Sequence, residues 1–148
     1  MKIRIFTLIV ILFAVYTNTT AQDDKELIKN VIEEGYVKGL HNNGDLAVTA
    51  KSFHEGFNLL GVSNNHLTKF PIYSWLEMSK KRREQKDQPV RPETISKYPM
   101  IDITGNAAVA KVELYQNENK IFTDYLMLYR FDEGWRIVSK IYEDHRKK

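Results

Sequence analysis

The chain has 148 residues, which is enough for one domain with a sizeable apolar core. It carries 22 Lys and Arg against 19 Asp and Glu, a formal charge of +3, and it contains no cysteine. Without cysteine the chain can be neither a disulfide-stapled fold nor a lipid-anchored lipoprotein, although an oxidising compartment would permit disulfides.

Residues 1–21 have the pattern of a secretory signal peptide. Two basic residues precede an apolar run, Ile5 to Tyr16, that is too short to span a membrane, and Ala21 ends a stretch of small residues typical of a cleavage site. We therefore expect a signal peptide at 1–21 and a single exported domain, periplasmic or secreted, at 22–148. An uncleaved N-terminal anchor is the alternative. After cleavage no stable membrane insertion is expected.

The net charge gives little reason to expect a nucleic-acid partner. The predicted signal peptide contains two basic residues and no acidic ones. Its removal leaves the exported domain with a charge of about +1, so the basicity of the whole chain is mainly a targeting feature. We expect no nucleic-acid binding.

The first part of the exported domain is predicted to be helical. Apolar residues recur at helical spacing from Ile28 to Leu40 and predict a first helix that ends in the turn-rich residues 41–44. Gly35 and Gly39 lie on the apolar stripe although glycine disfavours helix, which indicates close approach of another backbone. A short second helix is predicted from residue 45 to about 51.

A hairpin and a third helix follow. Residues 53–62 and 67–72 are predicted strands that flank a turn at 63–66, and residues 73–86 are a predicted helix. The second half of this helix, Lys80 to Lys86, is strongly basic. A solvated helix face is the simplest interpretation, and contact with an acidic partner or a membrane surface is the alternative.

From Thr94 onward the sequence predicts four antiparallel strands joined by short turns. We place these turns at residues 105–106, 118–119 and 132–134, where Gly and Asn are frequent. Counting outward from the turns predicts the following opposite pairs: Ile103 with Ala108, Ile101 with Ala110, Ala110 with Met127, Val112 with Tyr125, and Phe131 with Trp135.

This register predicts one apolar and one charged face for the last two strands. The predicted inner face carries Tyr125, Met127, Tyr129, Phe131, Trp135, Ile137, Ser139 and Ile141. The predicted outer face carries Asp124, Leu126, Leu128, Arg130, Arg136, Val138, Lys140 and Tyr142. Because an antiparallel sheet commonly covers only its apolar side, we expect the helices to pack on the first face. The apolar strip on the second face suggests a homodimer that pairs through the outer sheet face.

The order of elements resembles the nuclear transport factor 2-like fold. That resemblance implies an α+β, cone-like roll in which a curved antiparallel sheet wraps around N-terminal helices and leaves a pocket at its open end. More narrowly, the chain resembles the putative lumazine-binding family, which is related to the polyketide-cyclase-like members of the same superfamily. The resemblance extends from about residue 24 to 143, and the residues that carry it are Asn43-Gly44-Asp45, Phe53-His54, Phe57, Gly105-Asn106-Ala107-Ala108, Asp124-Tyr125-Leu126 and the strand from Gly134 to Tyr142. The family tends to end that strand in an aromatic followed by His, whereas here Glu143 follows Tyr142.

Aromatic and small polar side chains form the candidate ligand pocket. Phenol and indole groups offer an apolar wall with a polar handle for a flat, apolar or aromatic ligand, although a core role is the simpler interpretation of each. The alternative for the Ser139 hydroxyl is a hydrogen bond to a neighbouring backbone group. The resemblance implies that His54 lies near the pocket mouth, where it is either an acid or base or a structural residue. No two histidines have metal-ligand spacing, so we expect neither metal nor cofactor. The candidate residues are Tyr36, Phe53, His54, Trp75, Tyr125, Tyr129, Trp135 and Ser139.

These observations lead us to expect an exported small-ligand-binding domain without catalytic residues, because no Asp or Glu falls on the predicted inner face. Two alternatives stay open. In the first, the chain is an isomerase- or cyclase-type enzyme, which the superfamily resemblance implies, with His54 or Glu143 as its acid or base. In the second, it is an accessory interaction module that pairs through its sheet face.

Overall fold

The computed structural model describes residues 22–85 and 89–146, and the predicted signal peptide at 1–21 lies outside the described residues. The described helices are α1 (residues 22–41), α2 (Leu46–Ser52) and α3 (Ile72–Glu84). The described strands are β1 (Phe53–Ser63), β2 (His66–Pro71), β3 (Ile95–Thr104), β4 (Ala107–Gln116), β5 (Asn119–Phe131) and β6 (Gly134–Asp144). None of these helices is both long and apolar enough to cross a membrane.

The strands form one curved, open sheet in the order β2-β1-β6-β5-β4-β3. Neighbours are antiparallel except β1 and β6, which run parallel because α3 and the β3-β4-β5 meander lie between them in the chain. The turns at Asn64-Asn65 and Asn117-Glu118 have positive φ at both residues, as two-residue hairpin turns often do. The predicted α+β, cone-like architecture is confirmed.

Helix α1 fills the concave side of the sheet. It is α-helical over residues 22–31 and a π-helix over Ile32–His41, an uncommon geometry that widens the helix where it is buried. A Cβ added at Gly35 would collide with the side chain of Ser52, and one added at Gly39 would collide with that of Thr49. The close approach predicted at the two glycines is therefore confirmed, and α2 is the element that makes it.

The predicted inner and outer faces of β5 are reversed. Leu126 and Leu128 are buried, whereas Tyr125, Met127 and Tyr129 are 38%, 55% and 53% exposed. In β6 the prediction holds only for the first half. Trp135 and Ile137 are buried as expected, but the second half of the strand buries Lys140 and exposes Ile141. The aromatic row chosen as the inner face thus lies mainly on the outside.

Strand irregularities explain this error. The β4–β5 turn falls at residues 117–118, one position earlier than predicted, and a β-bulge at Ile121 then shifts the register by one residue. Together they pair Ala110 with Leu126 rather than Met127, which reverses the face of β5. The last turn is also tighter than expected, and Phe131 pairs with Gly134. A β-bulge at Val138 then moves the second half of β6 to the opposite face.

The first meander turn was predicted correctly. Ile103 pairs with Ala108, and Ile101 pairs with Ala110. A short turn at residues 105–106 fixes this register, and the β3–β4 pairs next to the turn contain no bulge. The correct face of β4 follows, because Ala110, Val112 and Leu114 are fully buried.

Candidate functional site

Three polar side chains meet inside the cone. Two of them, Asp124 and Lys140, lie on the sheet face that the sequence predicted to point outward. Lys140 Nζ lies 2.6 Å from Asp124 Oδ1 and 2.6 Å from the Tyr36 hydroxyl oxygen. The Tyr36 hydroxyl donates to Asp124 Oδ2 at 2.6 Å. We call these residues the buried triad. Tyr36 and Asp124 are 0% exposed and Lys140 is 4% exposed, so the triad joins α1 to β5 and β6 without contact with bulk water.

Aromatic rings surround the ammonium of the triad. Lys140 Nζ lies 4.8 to 5.8 Å from the ring centroids of Tyr36, Trp75, Phe122 and Tyr142. Such contacts favour a cation. Burial nevertheless lowers the pKa of Lys140, while the Asp124 carboxylate opposes that shift. Burial and the same carboxylate raise the pKa of the Tyr36 phenol, which therefore stays protonated as a donor.

The imidazole of His41 packs beside the triad. Its ring lies edge-on to Tyr36 at a centroid distance of 4.9 Å, and its Nε2 atom is buried without a hydrogen-bond partner among the described residues. Burial, followed by the positive charges of Lys140, Arg82, Arg146 and Arg91, lowers the pKa of His41 to about 3. His41 is therefore neutral at ordinary pH.

The buried triad satisfies its own hydrogen-bonding groups. The carboxylate uses both oxygens, the phenol both donates and accepts, and the ammonium has two polar partners and aromatic neighbours. Each member could take part in acid–base chemistry, but only if a reactant displaced another member. In this packing the triad connects the helix to the sheet.

A separate cleft lies on the edge of the cone. It has a volume of about 610 Å³ and lies where the end of α2, the starts of β1 and α3, and the β5–β6 turn meet. We call it the His54 cleft. Its principal lining residues are Phe53, His54, Tyr73, Leu76, Phe131 and Arg136.

His54 is held in a defined orientation within this cleft. Its ring stacks on Phe131 at a centroid distance of 4.8 Å and an interplanar angle of 13°. Its Nδ1 accepts a hydrogen bond from the backbone N–H of Gly56 at 3.0 Å, which assigns the proton of the neutral ring to Nε2. The cleft thus offers a fixed aromatic stack with an imidazole N–H donor.

The structure separates the sequence-predicted residues into three groups. Phe53 and His54 line the cleft. Tyr36, Trp75 and Trp135 lie in the interior, where the indole N–H of Trp135 donates to Asp24 at 3.2 Å. Tyr125, Tyr129 and Ser139 belong to the outer face, which contradicts the placement expected for them.

Ser139 illustrates the last group. It pairs with the exposed residue Met127, and its hydroxyl donates to the Asn58 carbonyl at 3.3 Å. This hydroxyl therefore serves a neighbouring backbone group, which was the structural alternative to a ligand contact.

Sequence reasoning missed His41, Asp124 and Lys140. One signal was available for the carboxylate, because Asp124, Leu126 and Leu128 alternate as one apolar-rich face of β5. For Lys140 the bulge at Val138 hid the equivalent pattern. The inward position of Asp124 also removes the argument that the inner face lacks a carboxylate.

The first prediction concerns the buried ion pair. Replacing Lys140 by Met leaves Asp124 buried without its counter-ion, and Asp124→Asn leaves the ammonium without one. Each change should lower the free energy of unfolding by about 3–5 kcal/mol. The double variant should lose clearly less than the sum of the single losses. Urea unfolding of the four proteins measures this coupling.

Lys120→Met is the matched control, because it removes the more exposed ion pair with Glu113 at 2.7 Å in the same sheet. We expect only a small change for it, since solvent screens such pairs. Additive losses in the double variant, or equal losses in the control, would contradict the assigned role of the triad.

The second prediction concerns pH. The folded pKa of His41, about 3, lies below the unfolded value near 6.5, so between these pH values only the unfolded chain binds the proton. The His41 contribution to stability is therefore complete above pH 6.5 and declines as the pH falls, by up to about 1.4 kcal/mol per pH unit. His41→Phe should flatten the curve of unfolding free energy against pH.

His66→Gln, at an exposed position beside the β1–β2 turn, is the control for this measurement. It should leave the slope of the wild-type protein unchanged. Parallel curves for wild type and His41→Phe between pH 3.5 and 6.5 would show that His41 is not buried as a neutral group.

Several proteins of known structure are similar to this chain. No curated protein matches the sequence significantly. A nuclear transport factor 2-like protein of unknown function from Shewanella baltica OS155 is 26% identical, with a TM-score of 0.66 over 83% of this chain and 94% of that one. Similar proteins of unknown function from Silicibacter pomeroyi DSS-3 (18% identity, TM-score 0.66, 84% and 98% of the two chains) and Methylobacillus flagellatus KT (24%, 0.58, 83% and 93%) share the fold.

The family comparison covers nearly the whole described chain. The model of the family described as putative lumazine-binding matches residues 23–143. This range includes residues 23–41 of α1, the whole of α2 and α3, and all six strands except Asp144 at the end of β6. The chain belongs to the putative lumazine-binding family and has the nuclear transport factor 2-like fold.

Proposed function

We propose that this protein is an exported, non-catalytic domain that binds a small aromatic molecule in the His54 cleft. The observation that carries the proposal is the fixed stack of His54 on Phe131 in a cleft of about 610 Å³. That volume lies within the range of about 300–1,000 Å³ that is usual for small-molecule sites. The family description supports a flat, pteridine-like ring as the class of ligand.

The lining of the cleft matches such a ligand. Tyr73 is 68% exposed and can move onto a ring at little energetic cost, while the buried Phe53 and Ile72 supply an apolar floor. Arg136 and Glu133, 3.8 Å apart at the rim, offer a donor and an acceptor to polar edges of the ring. Aromatic walls with few polar groups are typical of sites that recognise planar heterocycles.

The proposal that the domain is non-catalytic rests on how the acid–base groups are used. Asp124, Lys140 and Tyr36 are paired with one another and sealed from water. The Nδ1 of His54 is occupied by the Gly56 N–H, so this imidazole cannot accept a proton at that atom without losing the bond. Export is supported by the basic start and apolar run of residues 1–21.

The third prediction tests the cleft with lumazine and riboflavin as probes. Either compound at 100 times its dissociation constant should add about 2.7 kcal/mol to the free energy of unfolding, seen as a rise in Tm. Tyr73→Ala and His54→Ala should each weaken binding at least tenfold in calorimetric titration, because each removes part of the aromatic wall. Tyr129→Ala, an exposed tyrosine outside the cleft, should bind like the wild type.

Two results would overturn this proposal. One is the absence of a Tm shift with any planar heterocycle at millimolar concentration. The other is equal weakening by Tyr73→Ala and Tyr129→Ala, which would move binding away from the cleft. Turnover of a bound compound would instead favour the enzyme alternative and remove the non-catalytic part of the proposal.

The outer face of the sheet supports a homodimer as the second part of the proposal. Large apolar side chains are exposed on four of its strands, β2, β1, β6 and β5. Monomeric proteins rarely expose a contiguous apolar patch of more than a few hundred Å². A second copy of the same sheet face would cover these residues symmetrically. They are Val62, Leu67, Tyr125, Met127, Tyr129 and Ile141, with exposures from 38% to 77%.

The fourth prediction therefore replaces the outer residues suggested by the sequence. Leu128 is 1% exposed and cannot test the interface, whereas Met127 lies at its centre. Wild-type protein should sediment as a dimer at micromolar concentration, and Met127→Asp should sediment as a folded monomer. Leu27→Asp, an exposed site on α1, is the control and should stay dimeric. A monomeric wild type at 100 μM would remove the dimer.

A further inference from the structure

A second concave site lies where α1 and α3 end. It has a volume of about 490 Å³, and three of its seven lining residues are arginines. We call it the Arg91 pocket. Pro89 and Val90 form one wall of the pocket, and Asn43 lies opposite in the turn after α1. Its guanidinium groups come from Arg82, Arg83 and Arg91.

Backbone carbonyls at the end of α1 position two of the arginines. Arg83 donates from Nη1 to the Gly44 carbonyl at 2.7 Å and from Nη2 to the Gly39 carbonyl at 2.6 Å. Arg82 donates from Nη2 to the Leu40 carbonyl at 3.3 Å, with a longer contact of 3.5 Å to Asn43. The negative end of the α1 helix dipole also stabilises cations at this place. The two guanidiniums are therefore fixed before any ligand arrives.

Helix capping does not use all of their donors. Arg83 Nε is buried and has no hydrogen-bond partner among the described residues. Within residues 22–85 and 89–146, the hydrogen bonds of Arg82 all involve Nη2. A buried N–H without an acceptor is costly, and an acceptor placed in the pocket would remove that cost.

Among the described residues, no carboxylate forms an ion pair with the arginines of the pocket. None of the ion pairs formed within residues 22–85 and 89–146 involves the three arginines. Burial, then Arg91 and Arg83, lower the pKa of Arg82, as expected when like charges face one another. Asp45 is the acid that acts on Arg83, and it does so without an ion pair.

The segment that carries Arg91 is anchored. Asn42 exchanges two hydrogen bonds of 2.8 Å with the backbone of Thr94, and the Thr94 hydroxyl accepts one from Gln116 at 2.9 Å. Thr94 is 1% exposed. Pro92 restricts the chain between Arg91 and this anchor. Arg91 therefore stands close to the other two arginines without being tied to them.

We propose that the Arg91 pocket is an oxyanion site for the phosphate or sulfate group of a small organic ester. Planar guanidiniums bind tetrahedral oxyanions through paired N–H donors, and three of them converge on this pocket. The pocket is larger than the oxyanion alone, and Pro89 with Val90 offers an apolar wall to the organic part. Helix capping alone accounts for Arg82 and Arg83 but gives Arg91 no partner.

This site is separate from the His54 cleft. Leu76 of α3 lines the cleft and Arg83 of the same helix lines the pocket, which places them roughly 10 Å apart along the helix axis. Binding at one site can therefore be measured with the other intact.

Calorimetric titration of the purified protein with phenyl phosphate and phenyl sulfate at low ionic strength tests the proposal. We expect saturable binding of at least one ester and none of phenol, which lacks the oxyanion. Arg91→Gln should weaken binding at least tenfold without loss of Tm, because Arg91 is exposed and makes no described hydrogen bond. Lys80→Gln, an exposed lysine of the same helix, removes equal charge and should change affinity less than twofold.

Arginine side-chain NMR locates the bound anion. The Nε–H resonance of Arg83, the buried donor without a partner, should shift on addition of phenyl phosphate in wild type. Equal losses for Arg91→Gln and Lys80→Gln would overturn the proposal, because they would show unspecific charge attraction. Binding to anionic lipid vesicles but to neither ester would overturn it in favour of a membrane surface, and binding of neither ester nor vesicles would leave helix capping as the whole role of the cluster.

Discussion

The ion pair between Asp124 and Lys140, bridged by the Tyr36 hydroxyl, is the interaction on which the arrangement of the fold depends. Removing two charges from water is strongly unfavourable unless each finds its counter-ion and hydrogen-bonding partners in the interior. Here the two oxygens, the phenol and the ammonium bond one another at 2.6 Å. The contact also ties the inward faces of β5 and β6 to α1.

The same contact explains why the open interior expected of a ligand-binding cone is filled. Tyr36 and Trp75 point at the ammonium, and Phe53 and Phe57 pack edge to face against each other beside them. Aromatic side chains that could have lined a pocket instead shield a buried charge. The His54 cleft lies instead at the edge of the cone. Phe53 lines this cleft and also packs against Tyr36 of the triad. A ligand in the cleft would therefore rest on a floor held in place by the triad.

Sequence reasoning was reliable where structure is determined locally. Turn residues gave the β3–β4 register, and the glycines of α1 indicated the approach of α2. It failed where one extra residue in a strand moves all the following side chains to the opposite face of the sheet. The bulge at Val138 has no local signature, and each face of β5 contains enough apolar residues to look buried. Charge was also misleading, because Asp124 and Lys140 identify the inner face only when they are seen as partners across two strands. His54 and Phe53 line the cleft, and they were chosen on the resemblance rather than on periodicity; that they contact a ligand stays a prediction.

Helix α3 links these features. Its first turns supply Tyr73 and Leu76 to the His54 cleft and place Trp75 against the buried triad. Its last turn supplies two guanidiniums to the Arg91 pocket. The last turn is also tied to the end of α1 by hydrogen bonds from Arg82 and Arg83. A rigid helix fixed at both ends cannot shift at one site without straining the other. Loss of the triad should therefore disturb both concave sites together, whereas changes at Tyr73 or Arg91, which lie at the rims, should act on one site only.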